Sequence, residues 1–425
     1  MRVGLFLYRQ LTRLLSPFTG WLLQRRVARG KENSKRLNER VARQLPPRPD
    51  GTLVWFHAAS VGESMLHLAI ARTLLERGYT INCLFTCQTL TAADRINDSL
   101  AQNDRFAQTW TLQQMAPLDT PGIAQRFVTH WQPDLAVFAE GDVWPNLLTC
   151  LQTAGTSTAL INARMTDKSL TGWSQWPKTA AHVFGGFDAL MASDKKTSMG
   201  LQSLIGHPVP CPGNLKSALP PPPVFLDELT AIRAQIGDRK VLFAASTHAG
   251  EEALVIDAIM RMEKHPFTII APRHPERGDQ VQTLLEISKL KFARRSHEDA
   301  ITPETDVLLA DTMGEMGLWF RLADTVYLGG GHTPGVGGHN PLEPLRLGKP
   351  VLTGPSLFNF ADMTRDLADK GGLVIIDSAE DLISHFPAPA PPAALIDELE
   401  QNAFEPMNAT VAALVPLLPA KGGAS

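Results

Sequence analysis

The sequence is poor in cysteine: Cys83, Cys87, Cys150 and Cys211 are all it has in 425 residues. They form no pair of pairs at zinc spacing. Cys83 and Cys87 stand four apart on an expected strand and the turn after it, so they read as buried thiols of a reducing compartment. No His-x-x-x-His, Walker sequence or serine nucleophile elbow with partners occurs. Metal-dependent and covalent mechanisms therefore find no support in the residues. No uninterrupted apolar run reaches the roughly 20 residues a spanning helix needs. Residues 3–23 come nearest, but Arg9, Arg13 and Pro17 break them. No small-residue cleavage site follows, which disfavours a signal peptide. No internal repeat is visible.

Charge is unevenly placed. Residues 1–45 carry 11 Lys/Arg and 2 Asp/Glu, a balance of +9 inside a chain whose net charge is −3. Basic residues elsewhere are scattered, which argues against a nucleic-acid surface. A basic end on an acidic body points to an anionic surface partner. Trp21, Arg25, Arg26, Arg29 and Lys31 follow the apolar stretch directly. That order suits a helix lying in the headgroup region of an anionic leaflet. A weakly hydrophobic single span, or an amphipathic helix packed on the body, fits the same residues.

The length allows two domains with full cores. Residues 46–51 (PPRPDG) read as a linker. Beyond it, β-type runs alternate with helical stretches. Strands are expected at Leu53–Ala58, Ile81–Thr86, Leu135–Ala139, Thr158–Asn162 and Ala189–Ala192, and a helix over 63–77. A proline-rich break, 208–224, separates this first Rossmann-like domain (52–207) from a second (225–386), since four consecutive prolines continue neither a helix nor a central strand. In the second domain strands are expected at Val241–Ala245, Phe267–Ala271, Val307–Ala310, Thr325–Leu328 and Leu373–Ile376. A last helix covers 393–416. The alternation implies an α/β chain with parallel sheets, ligands at the carboxyl ends of strands, and a cleft between the two domains.

Six blocks sit just after expected strands. HAASVGE (57–63) places Glu63 in the first turn of a helix, where it can take a proton from a hydroxyl or simply stabilise its own helix. Glu140-Gly141-Asp142 precedes Trp144-Pro145-Asn146 and offers two carboxylates, or a helix cap. Ser246 and Thr247 offer hydroxyls before a helix amino-terminus, or a capping box with the glutamates that follow. Arg273 in the APRHPER block can reach a phosphate or a base, or form a plain surface loop. Gly314 in DTMGE allows close backbone approach. Gly329-Gly330-Gly331 through Glu343 reads as a phosphate-cradling loop and a helix opened by Asn340, with Glu343 able to accept from two ribose hydroxyls. A dinucleotide fingerprint does not fit, because no Gly-x-Gly-x-x-Gly follows the first strand.

Taken together, these blocks resemble the 3-deoxy-D-manno-octulosonic acid (Kdo) transferases of lipopolysaccharide synthesis. The likeness runs from about Leu7 to about Phe360 and includes GKE (30–32), PLD (117–119), NAR (162–164) and GNLK (213–216). It implies a GT-B fold, an inverting transfer from CMP-Kdo to a lipid A precursor (lipid IVA), no metal or other cofactor, and an amino-terminal attachment to the cytoplasmic face of the inner membrane. By the resemblance, Glu63 is the general base and Glu140 the second acid. Pro272, Arg273, Met313, Gly314, Glu315, Asn340 and Glu343 fall where CMP is held, and Ser246 and Thr247 fall near the donor phosphate. Two departures stand out: Gly141-Asp142 replaces the family's usual Thr-Glu, and His332 replaces its usual Ser. Rival readings are a lipid A disaccharide synthase, a UDP-sugar epimerase, and a non-catalytic lipid A-binding protein. Carboxylates at both Glu63 and Glu140 favour an enzyme.

Overall fold

The computed structural model describes residues 3–218, 224, 226–358 and 360–419. Part of the expected proline-rich linker, 219–223, and residue 225 lie outside the described residues. The chain divides into two compact units, one of residues 1–219 with 403–425 and one of residues 220–402.

The first unit is built on six parallel strands: β1 (Leu53–Ala58), β2 (Asn82–Cys87), β3 (Thr111–Met115), β4 (Leu135–Ala139), β5 (Ser157–Ala163) and β6 (Ala189–Ala192). Their order is β3-β2-β1-β4-β5-β6. The strand run through 53–58 has no polar face, as expected where helices cover both sides of a parallel sheet. Its residues alternate between two cores. Val54 and Phe56 pack with Phe85 and Val137 on one side, Leu53 and Trp55 with Leu84 and Phe138 on the other. Each such side chain, fully buried, contributes about 1.5–3 kcal/mol. Met407, Val411 and Leu414, from the carboxyl-terminal half of the helix Ala393–Leu414, are buried in the first of these cores.

The second unit has seven parallel strands: β7 (Val241–Thr247), β8 (Phe267–Pro272), β9 (Phe292–Arg294), β10 (Val307–Leu309), β11 (Thr325–Leu328), β12 (Val351–Thr353) and β13 (Leu373–Ile375). They run in the order β13-β12-β11-β7-β8-β10-β9. Three strands, β3, β9 and β12, were not expected. β3 carries Gln113 and Gln114 where a strand usually shows apolar residues. Both are buried, and Gln113 accepts from Arg36 at 2.8 Å and donates to Cys87 Sγ at 3.3 Å.

In each sheet the chain order reverses beside the first strand, between β1 and β4 and between β7 and β11. At such switch points neighbouring loops diverge and leave a crevice at the carboxyl ends.

The amino-terminal segment forms helices Val3–Leu15 and Thr19–Val27, joined by a short turn containing Pro17. It is tied down at few places. Tyr8 donates to Asp119 at 2.9 Å, and Asn146 donates to Thr12 at 3.0 Å. Asp119 also accepts from the backbone of Asn146 and Leu147, capping the helix Pro145–Ala154. Most apolar residues of the two helices face outward: Leu14 is 72% exposed, Phe18 62% and Trp21 62%. Among the described residues no helix is long and apolar enough to cross a membrane.

Candidate functional site

In the first unit β1 runs into Ser60, which caps the helix Val61–Glu76. The Glu63 N–H donates to Ser60 Oγ at 3.3 Å. The Glu63 carboxylate reaches back, accepting from Ser60 Oγ at 2.9 Å and from the Ala59 N–H at 2.8 Å. This is a capping box, and it fixes the carboxylate instead of leaving it to wander. Glu63 is buried, only 6% exposed. Burial pushes its pKa above the usual carboxylate range. The two hydrogen bonds work against that shift, and the charges of Asp142 and Glu140 add to it. Each carboxylate oxygen keeps a second lone pair for a proton.

Glu140 ends β4 in the left-handed region, φ 55°. A non-glycine residue held there costs on the order of 1 kcal/mol, a strain that clusters at working sites. Its Oε1 lies 2.6 Å from Lys216 Nζ. The Lys216 chain in turn lies across Gly62, at the start of the helix that carries Glu63. Asn162, at the end of β5 and also left-handed at φ 49°, accepts from the Leu215 N–H at 2.9 Å and so seats the lysine loop. Glu63, Glu140, Asp142 and Arg164 line one cleft of about 750 Å³. Both expected acids thus come together at the β1/β4 switch point. Lys216 and Arg164 sit inside blocks whose likeness to the family was visible, but the contact of Lys216 with Glu140 and the place of Arg164 in the cleft were not. It depends on which strand ends lie side by side.

The second unit gathers its blocks at the ends of four adjacent strands, β11, β7, β8 and β10. Ser246 is left-handed at φ 55° and only partly buried. Thr247 is fully buried, and its hydroxyl donates to Glu252 at 2.9 Å. Glu252 also takes both terminal nitrogens of Arg277, at 2.6 and 3.2 Å. The hydroxyl of Thr247 therefore holds the loop together and is not free for a ligand.

The glycine loop differs from expectation in the same way. Glu251, 1% exposed, accepts from the N–H groups of His248, Gly330 and His332 at 2.8–3.0 Å. Two amides expected to cradle phosphate are thus already engaged. The glycines are needed for packing instead, since a Cβ on Gly331 would come 2.6 Å from the Gly354 backbone.

Pro272 is buried in β8, while Arg273, Met313, Gly314, Asn340 and Glu343 reach the surface. Glu315 is held by Arg295 at 2.6 Å and by Thr312. Burial would raise its pKa, but these donors outweigh burial and keep it below the usual range. Asn340 accepts from the Leu342 N–H at 3.1 Å, a local cap. Glu343 has no partner among the described residues, and surrounding protein raises its pKa although its surface remains accessible. His332 bonds Tyr327 through Nδ1 at 2.9 Å.

The amino-terminal part, residues 35–219, matches the family model described as 3-Deoxy-D-manno-octulosonic-acid transferase (kdotransferase). The chain is 31% identical over 391 residues to a probable mitochondrial 3-deoxy-D-manno-octulosonic acid transferase of Arabidopsis thaliana, covering 88% of this chain and 86% of that one. It is 32% identical over 333 residues to the 3-deoxy-D-manno-octulosonic acid transferase of Bordetella pertussis, covering 76% of each. A UDP-GlcNAc 2-epimerase structure from Neisseria meningitidis is similar in fold, with a TM-score of 0.52, 14% identity, and coverage of 86% of this chain and 100% of that one. Two parallel sheets of this kind are the architecture of the GT-B fold class. Within that class its sequence is specific: it belongs to the Kdo transferase family.

A pair of histidines joins the two loops at the β7/β11 switch point. His248 and His339 stack with ring centres 5.1 Å apart, and their Nε2 atoms are 2.9 Å apart. One proton fits between those atoms and a second does not. Burial, then the neighbouring His248 and Arg273, lower the His339 pKa to about 4. The folded state therefore binds fewer protons than the unfolded chain, whose histidines titrate near 6.5. Stability is lost as pH falls from about 6.5 through about 4. Thermal melts across that range are expected to fall less steeply for His339→Gln than for the wild type. Equal slopes would contradict this assignment.

Proposed function

We propose that the chain transfers Kdo, with inversion, from CMP-Kdo to a sugar hydroxyl of a lipid A precursor such as lipid IVA, in lipopolysaccharide synthesis. The observation that carries the catalytic reading is the Glu63 carboxylate, buried, anchored by Ala59 and Ser60, and facing a cleft of acceptor size. In the proposed step Glu63 takes the proton of the acceptor hydroxyl while its oxygen bonds to the anomeric carbon. The bond from that carbon to the phosphate oxygen breaks, and its electron pair leaves with CMP. Arg273, the part-buried turn at Ser246 and the exposed backbone of Gly314 meet the growing charge on the phosphate, and Asn340 and Glu343 hold the nucleoside. A monophosphate leaving group carries less charge than a diphosphate, so the step calls for no divalent ion. Lys216 holds Glu140 in place at 2.6 Å.

Glu63→Ala, assayed with CMP-Kdo and lipid IVA, is expected to lose at least about a hundredfold in rate, the usual contribution of a general base. Activity within about tenfold of wild type, or about 1.4 kcal/mol of barrier, rejects Glu63 as the base. The epimerase reading shares the fold, and stabilisation by UDP ligands but not by CMP would favour it.

The acceptor is a lipid, and the amino-terminal helices suit a lipid surface. Phe6, Leu7, Leu11, Leu14, Leu15, Phe18, Trp21 and Leu22 are exposed, and Arg9, Arg13, Arg25 and Arg26 stand among them. Apolar insertion plus attraction to anionic headgroups gives attachment without a span. The site of action is then the cytoplasmic face of the inner membrane. Deleting residues 1–45 is a poor test, because it removes Arg36, Glu39 and the buried Glu32–Arg40 pair (3.0 Å), through which the segment bonds Gln113, Met115 and Ala116 of the body. Replacing Leu14, Phe18 and Trp21 together by Glu leaves that pair intact and is expected to release the protein from anionic vesicles. If the variant still floats with vesicles at moderate salt, the attachment lies elsewhere.

A further inference from the structure

A buried chain of polar groups runs beneath the acceptor cleft. Trp55 and His57 point to the same face of β1, and His57 is paired in register with Thr86 of β2. The Trp55 indole donates to Thr86 Oγ1 at 2.8 Å, and Thr86 Oγ1 lies 2.8 Å from His57 Nδ1. Indole only donates, so Thr86 accepts there. The threonine proton is buried and, among the described residues, has His57 Nδ1 as its one acceptor within reach. Leaving it unbonded would cost about 1–3 kcal/mol. His57 Nδ1 therefore accepts, and the imidazole proton sits on Nε2. That nitrogen is 3.1 Å from Asp142 Oδ2, a close approach that falls short of a linear hydrogen bond. The His57 ring is held edge-on by Trp144, with centres 6.1 Å apart, and packed on Trp55 and Phe138. It is completely buried.

We propose that His57 is a positioning residue for the transfer: fixed by Trp55 and Thr86, it holds the Asp142 carboxylate in the acceptor cleft beside Glu63, where that negative charge keeps the base ready to take a proton. The proposal rests on the reading of Glu63 as the base.

The charges around Glu63 decide its sign. From the loop after β4 come Glu140 and Asp142, from the turn Leu215–Ala218 comes Lys216, from the residue after β5 comes Arg164, and from β1 comes His57; Asp167, Asp194 and Lys196 line the same cleft, Lys196 paired with Asp167 at 2.6 Å and Asp194 capping its own helix. Lys216 is engaged with Glu140 at 2.6 Å. Asp142 is left with His57 alone, a neutral partner in the tautomer above. Its charge therefore acts on Glu63 uncancelled, in a place where burial weakens screening. An Asp142 free to swing toward Lys216 or Arg164 would lose that effect.

The test compares wild type, Asp142→Asn, Asp142→Glu, His57→Gln and Glu63→Ala in full-length protein, following CMP release from CMP-Kdo with lipid IVA across pH. A general base must be ionised to work, and removing a negative neighbour lowers its pKa. Asp142→Asn and His57→Gln are expected to move the acid limb of the rate profile to lower pH by at least about half a unit. They should lower kcat by about tenfold while leaving KM for CMP-Kdo unchanged. Asp142→Glu should keep the wild-type limb. An unmoved limb in Asp142→Asn overturns the proposal, whatever its rate. Asp142 lies at the cleft edge, so this variant remains decisive if His57→Gln fails to fold. Wild-type protein without CMP-Kdo turnover, or a Glu63→Ala variant with normal rates, brings down the underlying reading and the proposal with it. A normal Glu63 requirement with an unmoved limb brings down the proposal alone.

Discussion

Every strand in both sheets runs parallel, so every loop that follows a strand emerges at the same edge of its sheet. Segments far apart in the chain are thereby brought side by side. Residues 57–63 meet 140–142 because β1 and β4 are neighbours, and 246–252 meet 329–332 because β7 and β11 are neighbours. The reversal of strand order at β1/β4 opens a crevice that receives Glu63 and Glu140, while at β7/β11 Glu251 and the His248–His339 pair tie the two loops together.

Acids at these edges divide into two kinds. Glu251 and Glu252 accept several hydrogen bonds, from loop amides in one case and from Thr247 and Arg277 in the other. They behave as internal struts, because a buried carboxylate whose acceptor sites are filled has little capacity left for a substrate. Glu63 is buried too, but each of its oxygens accepts a single hydrogen bond and keeps a lone pair, and the side chain lines the cleft. Desolvation and the nearby negative charge then raise its affinity for a proton. The capping box that a first reading sets against catalysis is what holds the base still. Structural and chemical roles are combined in one side chain.

Much of this was legible from residue pattern. Leu53–Ala58, Leu135–Ala139, Ala189–Ala192 and Thr325–Leu328 were located to the residue, because apolar runs between turn residues are strong markers of buried parallel strands. β3 was not legible, since its Gln113 and Gln114 look like loop residues until Arg36 and Cys87 are seen to partner them. β9 and β12 have three residues each, too few for any period. Glu63 and Glu140 were visible as acids after strands. The contacts of His57 with Asp142 and of Lys216 with Glu140, and the place of Arg164 in the cleft, were not, because they depend on strand adjacency and on Asn162 seating a loop from 53 residues away. The committed hydroxyl of Thr247 and the engaged amides of Gly330 and His332 were equally hidden. Which hydrogen-bonding groups are already taken is a property of the folded structure.

The account turns on burial and charge making one carboxylate a base at the β1/β4 crevice. The direct measurement is the titration of the Glu63 side-chain carboxyl by carbon-13 NMR in the folded full-length protein. The account predicts a midpoint above the ordinary glutamate value of about 4.3. A midpoint at or below that value would mean that the hydrogen bonds from Ala59 and Ser60 dominate, and that Glu63 only caps its helix.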